Sequence, residues 1–298
     1  MTDPEATDPP GGTRRQVRPG EPPTVVFCNG LGMPRELWQP VVDLLPADRA
    51  VVTFDRPADT PHAADDLDAQ LVEIDEVVAD VAGPLLLVGH SYGGVLAEAY
   101  ARHRPHRVCA LVLVDPALPA DYAAAPRSVD GATDHTTGGA GSELPWWRNA
   151  AIRLSDVEGL RPLLSWVMSA GMVATATRQG EFTATIEGLP EGAIEQIVSV
   201  ANVTRAMRDD HHLGAICRAV LEDRAAGPLS GIPVRVLVGA TGPRAWPADQ
   251  PGWATKQRGQ LADLADDAEL RELPGAHLLM LDCPAEIATV ITDVAAPG

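Results

Sequence analysis

The amino-acid sequence predicts an α/β fold in which a mostly parallel, doubly wound sheet is interrupted by an inserted helical segment. Short β-branched runs alternate with longer stretches of helical periodicity, which is typical of a parallel sheet wrapped by helices. One of these runs, Cys109–Val114, is almost wholly apolar, as expected for a strand covered on both faces. Between residues 118 and 229 the alternation stops, and helix-like pieces replace the strands. These pieces include Leu144–Leu154, Val157–Ala170, Glu191–Arg208 and Leu213–Asp223.

The predicted core elements alternate along the chain. Strands are expected at Thr24–Cys28, Ala50–Phe54, Leu85–Val88, Cys109–Val114, Val234–Val238 and Glu269–Leu273. Apolar spacing predicts helices at Pro34–Leu45, Ala64–Val81, a stretch from the Ser91 turn to about His103, Trp253–Leu264 and Pro284–Val294. The core is therefore expected to comprise 24–117 and 230–298. Segment 118–229 is expected to form a helical lid over the carboxyl ends of the strands, where ligands bind in open α/β sheets.

The first 23 residues predict a disordered lead-in, because they are rich in proline, glycine and charge. They contain no apolar stretch of the kind that a signal peptide requires. No apolar run in the chain reaches the roughly 18 residues that a membrane span needs. We therefore expect a cytoplasmic protein.

The charge balance restricts the partners. The formal net charge is -18, from 41 acidic and 23 basic residues, so the surface should repel phosphate backbones and anionic membranes. We expect a small-molecule substrate, no nucleic-acid or membrane partner, and a monomer or homodimer. The cysteines are widely separated and form no C-x-x-C pair, which predicts free thiols rather than a disulfide framework. They are Cys28, Cys109, Cys217 and Cys283.

The strongest chemical motif lies in LLLVGHSYGG, at Leu85–Gly94. It contains G-x-S-x-G between an apolar strand and a helix, the context in which a sharp turn exposes a serine hydroxyl above the sheet. Ser91 is therefore the candidate nucleophile. The backbone N–H of Tyr92, at the start of the helix, can donate to a developing oxyanion.

With this motif in this context, the chain resembles the α/β-hydrolase superfamily, in particular its capped serine esterases, lipases and thioesterases. The resemblance covers nearly everything from Thr24 to Val294. It implies a second oxyanion donor in the turn after the first core strand, here CNGLGM, where Asn29 replaces the usual histidine and Gly30 remains. The Leu31 N–H is then the expected donor. The resemblance also implies an antiparallel edge before Thr24, which should be short or missing because little chain is available for it.

The resemblance places the general base in the loop after the last strand, where His277 is the suitable histidine. An imidazole with a pKa near about 6.5 can take the serine proton and return it to the leaving group. His90 adjoins Ser91, but its side chain should diverge from the hydroxyl and serve packing. The run Asp209–His212 suggests a solvated helix turn, and no metal site is expected there.

The orienting acid is the least conventional part of the site. Many members of the superfamily carry it after the penultimate strand, where this chain has Gly242 and no carboxylate before Asp249. Asp115 lies at the carboxyl end of the preceding strand, and some α/β-hydrolases use that position. Asp115 is therefore assigned as the acid, although an Asp-Pro pair after a strand is also a common turn device. The dehalogenase and epoxide hydrolase branches use a carboxylate at the position of Ser91, so those activities are not expected.

These residues predict hydrolysis of an ester or thioester through an acyl-enzyme, without a cofactor or metal. Aromatic residues and methionines in the insertion suggest a small, largely apolar substrate, although they could equally pack lid helices onto the core. The candidate substrate-binding residues are Trp146, Trp147, Trp166 and Met172. Two alternatives stay open: a biosynthetic cyclase, lactone-forming or thioesterase-like enzyme acting on a natural product, and a non-catalytic ligand-binding protein with this fold.

Overall fold

The computed structural model describes residues 14–56, 66–123, 188–240 and 252–295, apart from residue 198. Within these ranges seven strands form one sheet, in the order β1-β3-β2-β4-β5-β6-β7. The first strand is antiparallel to its neighbour and the other neighbouring pairs are parallel. The strands are β1 (Arg15–Arg18), β2 (Glu21–Cys28), β3 (Arg49–Phe54), β4 (Leu85–His90), β5 (Val108–Val114), β6 (Val234–Gly239) and β7 (Ala268–Leu273). This arrangement confirms the predicted fold class.

Helices connect the strands and cover both faces of the sheet. Short 3-10 turns at Arg35–Trp38 and Pro105–Arg107 complete the connections. The helices in the described ranges are α1 (Gln39–Val42), α2 (Leu67–Val77), α3 (Tyr92–His103), α4 (Pro119–Ala123), α5 (Ala193–Ile197), α6 (Val200–Ala225), α7 (Trp253–Gly259), α8 (Leu261–Leu264), α9 (Leu279–Asp282) and α10 (Pro284–Ala295). None of these helices is long and apolar enough to cross a membrane.

The core consists of two apolar layers, one on each face of the sheet. Because side chains alternate along a strand, Leu87 of β4 faces one layer and its neighbour Leu86 faces the other. The first layer contains buried residues of α2, α3 and α6, and the second contains buried residues of α1, α9 and α10. All six residues of β4 are buried, so this strand lies at the centre of the fold. The strand that precedes Ser91 is thus held from both sides.

The N-terminal prediction was wrong for part of its range, since β1 and the start of β2 fall within the lead-in predicted as disordered. Arginine contacts, which no hydrophobic pattern reveals, hold β1 in place. The Arg15 guanidinium donates to the Val77 carbonyl at 2.7 Å and pairs with Asp80 at 2.6 Å. Arg18 donates to three backbone carbonyls between residues 42 and 49. The antiparallel edge is therefore short, at four residues, but present.

The insertion returns to the core through α6, a 26-residue helix where the sequence pattern predicts two separate helices at Glu191–Arg208 and Leu213–Asp223. The second half of α6 packs with α3 in the first apolar layer, and its Ile216, Cys217 and Val220 are fully buried or nearly so. This half therefore packs as part of the core, although it lies within predicted segment 118–229. The helices predicted at Leu144–Leu154 and Val157–Ala170 lie outside the described residues.

Helix α1 is much shorter than the helix predicted at Pro34–Leu45. The chain there forms a 3-10 turn followed by four α-helical residues. Pro40 stands at the junction and has no N–H to donate to the preceding turn, so a continuous α-helix is disfavoured. The four cysteines all lie in described ranges and are free thiols, as the sequence predicts.

Candidate active site

Ser91 occupies a sharp turn between β4 and α3. Its φ of 52° and ψ of -120° lie in a region that residues with a side chain rarely adopt. A serine at the N-cap of a helix usually caps it with its hydroxyl, but Ser91 makes no such hydrogen bond because its backbone is not in the extended conformation of a cap. The turn therefore presents the hydroxyl to its surroundings rather than to the helix. This is the strained serine turn that the G-x-S-x-G motif predicts.

The glycines around Ser91 allow the strand and the helix to approach closely. A Cβ at Gly89 would lie 2.7 Å from the Gly94 Cα, and one at Gly93 would overlap the carbonyl oxygens of Cys28 and Asn29. Both contacts are with backbone atoms, which cannot move aside without distorting β2 or α3. The glycine positions of the motif are thus required sterically.

Asp115 lies in a second turn, which backbone hydrogen bonds join to the Ser91 turn. The Ser91 N–H donates to the Val114 carbonyl at 3.2 Å, and the Ala117 N–H donates to the Ser91 carbonyl at 3.0 Å. Asp115 has a φ of 44°, a conformation that aspartate tolerates better than most residues, and only 1% of its surface is exposed. The buried carboxylate is therefore carried by a turn bonded directly to that of Ser91.

The structure brings Asp115 and His277 together. Nδ1 of His277 lies 2.5 Å from Oδ2 of Asp115, while Oδ1 accepts from the Gly239 N–H at 3.2 Å and from the Trp253 indole N–H at 2.8 Å. A carboxylate can only accept, so Nδ1 is the donor and Nε2 of a neutral His277 carries the lone pair. The imidazole thus has the tautomer and the fixed orientation that a general base needs.

The loop that carries His277 is held by two further contacts. Asp282 of α9 accepts from the Ala276 N–H at 2.8 Å, and the His90 Nε2 lies 2.9 Å from the His277 carbonyl oxygen. The His90 and His277 rings are 4.6 Å apart, and His90 is 1% exposed. His90 therefore packs against the His277 loop, which agrees with its predicted packing role.

The turn after β2 lies against Ser91, as the resemblance implies. A Cβ at Gly30 would lie 2.6 Å from the His90 Nδ1 and 3.3 Å from the Ser91 Cβ, so a side chain there would displace the His90 ring or the turn. Asn29 is buried and has a structural role, because its amide donates to the Phe54 carbonyl and accepts from the Trp38 indole at 2.8 and 2.9 Å. Leu31, the predicted second donor, follows Gly30 directly. The other predicted donor, Tyr92, is the first residue of α3.

A buried cluster of charges behind this turn was missed by sequence reasoning. Asp209 of α6 is fully buried and pairs with Arg56 at 2.8 Å and with Arg205 at 2.7 Å. Arg205 in turn pairs with Glu73 of α2 at 2.7 Å, and burial raises the pKa of the Glu73 carboxyl although the Arg205 hydrogen bond opposes that rise. The expectation of a solvated turn at Asp209–His212 is therefore wrong for Asp209. The i,i+4 spacing of Arg205 and Asp209 is the one signal that the sequence offered.

The substrate-binding candidates Trp146, Trp147, Trp166 and Met172, and the positions Gly242 and Asp249, lie outside the described residues. Within the described ranges, no group of three or more histidine, cysteine or acidic side chains could hold a metal ion.

Comparison with known proteins decides the family. The pattern of the family described as "Alpha/beta hydrolase family" matches residues 25–290. The chain belongs to this family. It is 36% identical over 108 residues to the monoacylglycerol lipase ABHD6 of Bos taurus, a match that covers 34% of this chain and 32% of that lipase. The chain thus matches only about a third of the length of that relative.

Solved structures show the same fold over nearly the full length. ALR0039, described as a putative alpha/beta hydrolase from Nostoc sp PCC 7120, superposes with a TM-score of 0.66 at 20% identity, covering 97% of this chain and 95% of that one. A putative epoxide hydrolase from Pseudomonas aeruginosa gives a TM-score of 0.66 at 18% identity, over 95% and 94% of the two chains. At these identities the similarity establishes the fold of this alpha/beta hydrolase and not its substrate.

The packing of the His277 loop on β6 predicts a specific sensitivity at Gly239. A Cβ there would lie 2.6 Å from the Gly275 carbonyl oxygen and 2.7 Å from that of Ala276, both in the loop backbone. Gly239→Ala should therefore lower the free energy of unfolding by about 1–3 kcal/mol, the usual cost of overpacking, in a urea titration. Gly259→Ala is the matched control, since its Cβ would meet nothing within 4 Å. If both variants unfold at the same urea concentration, the described loop packing is incorrect.

Proposed function

We propose that this alpha/beta hydrolase is a serine hydrolase that cleaves an ester or thioester of a small, largely apolar substrate through an acyl-enzyme. The observation that carries the proposal is the 2.5 Å contact between Asp115 and His277. Asp115 lies on a turn that backbone hydrogen bonds join to the Ser91 turn. These two residues are 162 positions apart in the chain, and only the fold brings them together. The similarity to a monoacylglycerol lipase, whose name indicates an ester substrate, supports the same reaction class.

In the proposed mechanism, the Ser91 hydroxyl attacks the carbonyl carbon while Nε2 of His277 accepts its proton. The imidazolium that forms is stabilised by Asp115, whose carboxylate stays ionised and keeps Nδ1 protonated. His277 then protonates the leaving alcohol or thiol as the tetrahedral intermediate collapses to the acyl-enzyme. Water, deprotonated by the same imidazole, attacks the acyl-enzyme and releases the acid and the Ser91 hydroxyl.

The developing oxyanion would be bound by the backbone N–H groups of Leu31 and Tyr92. Tyr92 begins α3, so its N–H lies at the positive end of a 12-residue helix and has no carbonyl partner one turn earlier. Leu31 follows Gly30, the residue that lies against Ser91. In the proposed pocket, apolar residues of the insertion, with Trp146, Trp147, Trp166 and Met172 as candidates, would cover the acyl group.

Ser91 at the turn favours acyl transfer to water over epoxide opening. A serine alkoxide and a carbonyl substrate give an ester that water can hydrolyse with regeneration of the hydroxyl. The similarity to a putative epoxide hydrolase stands at 18% identity and concerns the fold alone. The chemistry proposed here therefore follows the residue at the turn rather than that structural neighbour.

A fluorophosphonate should label the wild-type protein once, with loss of fluoride and a phosphonyl adduct on Ser91. The reagent needs an activated serine and no knowledge of the substrate, so intact mass spectrometry measures the reaction directly. Ser91→Ala should show no adduct, because it removes the hydroxyl that forms the new bond. A folded wild-type protein that gains no mass would contradict the proposal and favour a ligand-binding role.

Asp115→Asn should lower kcat for p-nitrophenyl butyrate by about 10³- to 10⁴-fold, because an amide no longer fixes the His277 tautomer or stabilises the imidazolium. Far-UV circular dichroism should show the same fold. Asp121→Asn is the matched control, since Asp121 makes an exposed ion pair with Lys256 at 3.1 Å and should keep wild-type activity. Activity of Asp115→Asn within a few-fold of wild type would show that Asp115 is not the orienting acid.

A further inference from the structure

Arg56, two residues beyond β3, binds the turn that carries the proposed Leu31 donor. One of its terminal nitrogens donates to the Asn29 carbonyl at 2.5 Å and the other to the Gly30 carbonyl at 3.2 Å. Its side chain is 7% exposed, so solvent hardly competes for these contacts. Two successive carbonyls of the turn are therefore directed at one guanidinium.

These contacts fix the direction of the Leu31 N–H. In a planar trans peptide the C=O and the following N–H point in opposite directions. Because the Gly30 carbonyl points at Arg56, the Leu31 N–H of the same peptide unit points away from Arg56. The Met33 N–H also donates to the Gly30 carbonyl, at 3.2 Å, and this second bond restricts rotation of the peptide further.

Arg56 also contacts the element that carries the other proposed donor. Its guanidinium carbon lies 5.1 Å from the centre of the Tyr92 ring, within the range of a cation–π interaction. The Tyr92 side chain is 1% exposed, so the contact is shielded from solvent. One side chain thus touches both segments that would form the oxyanion hole.

Asp209 holds Arg56 in this position. One carboxylate oxygen accepts two Arg56 hydrogen bonds, at 2.8 and 3.1 Å, and the other accepts from Arg205 at 2.7 Å and from Gln70 at 3.3 Å. Arg205 continues the network to both oxygens of Glu73, at 2.7 and 2.8 Å. Two cations and two anions balance, so the guanidinium can stay buried and charged at a fixed place.

Helix α6 reaches the same turn at a second point. The side-chain amide of Asn202 donates to the Gly32 carbonyl at 2.8 Å. Asn202 precedes Asp209 by seven residues, which places the two on the same face of the helix. The helix therefore holds the turn directly through Asn202 and indirectly through Asp209 and Arg56.

We propose that Arg56, held by Asp209, is a positioning residue that aims the Leu31 N–H at the oxyanion, and that Asn202 steadies the same turn. This inference rests on the proposed serine hydrolase function. It requires arginine, because a planar guanidinium can contact two carbonyls and a carboxylate at once, whereas a lysine ammonium with its flexible stem cannot fix all three.

The test is Arg56→Lys, assayed with p-nitrophenyl butyrate after active serines are counted with a fluorophosphonate. Loss of alignment of one oxyanion donor should lower kcat per active serine by about 10- to 100-fold, below the effect of deleting a donor, with KM changed less than about threefold. The midpoint of the pH–rate profile should stay at the wild-type value, because Arg56 makes no described contact with His277. Asn202→Ala should lower kcat less, by about three- to tenfold, since one of the contacts is lost.

Arg224→Lys is the matched control. Arg224 lies on α6, the helix that carries Asn202 and Asp209, and its side chain is 8% exposed. It pairs with both oxygens of Glu98 at 2.7 and 2.6 Å, away from the turn. Arg224→Lys should lose thermal stability to a degree similar to Arg56→Lys and keep the wild-type kcat.

Three outcomes distinguish the inference from the proposed function. If the wild type is labelled and Arg56→Lys keeps the kcat of Arg224→Lys, the positioning role is wrong and the proposed hydrolase function is unaffected. If Arg56→Lys does not fold, an unchanged kcat in Asn202→Ala overturns the inference. If the wild type is not labelled, the proposed function fails and this inference with it.

Discussion

The parallel alignment of the central strands is the constraint on which the rest of this structure depends. Parallel strands end at a common edge, and each connection there can deliver a side chain to the same place. Asn29 follows β2, Arg56 lies just beyond β3, Ser91 follows β4 and Asp115 follows β5, while the His277 loop follows β7. Five segments that are distant in sequence thereby become neighbours. The site depends on this register because a slip of one residue would turn each terminal side chain to the opposite face.

Strained backbone at Ser91 and Asp115 is maintained by mutual support. Among the described residues, these two are the non-glycine positions with positive φ, and their turns exchange backbone hydrogen bonds. Each such conformation costs about 1–3 kcal/mol and persists only where its surroundings over-determine it. Here β4 is buried on both faces, and the Asp115 N–H donates to the Leu237 carbonyl of β6. The sheet therefore supplies the rigidity that both turns require.

The sequence predicted those features that depend on local pattern. The apolar strands and the G-x-S-x-G turn are visible in consecutive residues, and Asp115 could be proposed as the acid because it ends a strand. The sequence did not reveal Arg56 and Asp209, which are 153 residues apart and acquire their meaning only when β3 and α6 meet. Strand β1, which the sequence predicted only as a short or missing edge, is held by its pairing with β3, by partly buried Val17 and by arginine contacts to distant carbonyls. Long-range polar contacts thus set the limit of the prediction.

Helix α6 shows how core packing positions the turn after β2. Its first half meets the turn through Asn202 and Asp209, and its second half is anchored by Cys217 and Val220 in the apolar layer that contains α3. A second buried ion pair, Arg224 with Glu98 of α3, fastens its C-terminal end. Breaking either buried pair would leave an uncompensated charge, so both ends of the helix resist displacement. The turn is therefore positioned by a helix that is anchored in the same apolar layer as α3, the helix that follows Ser91.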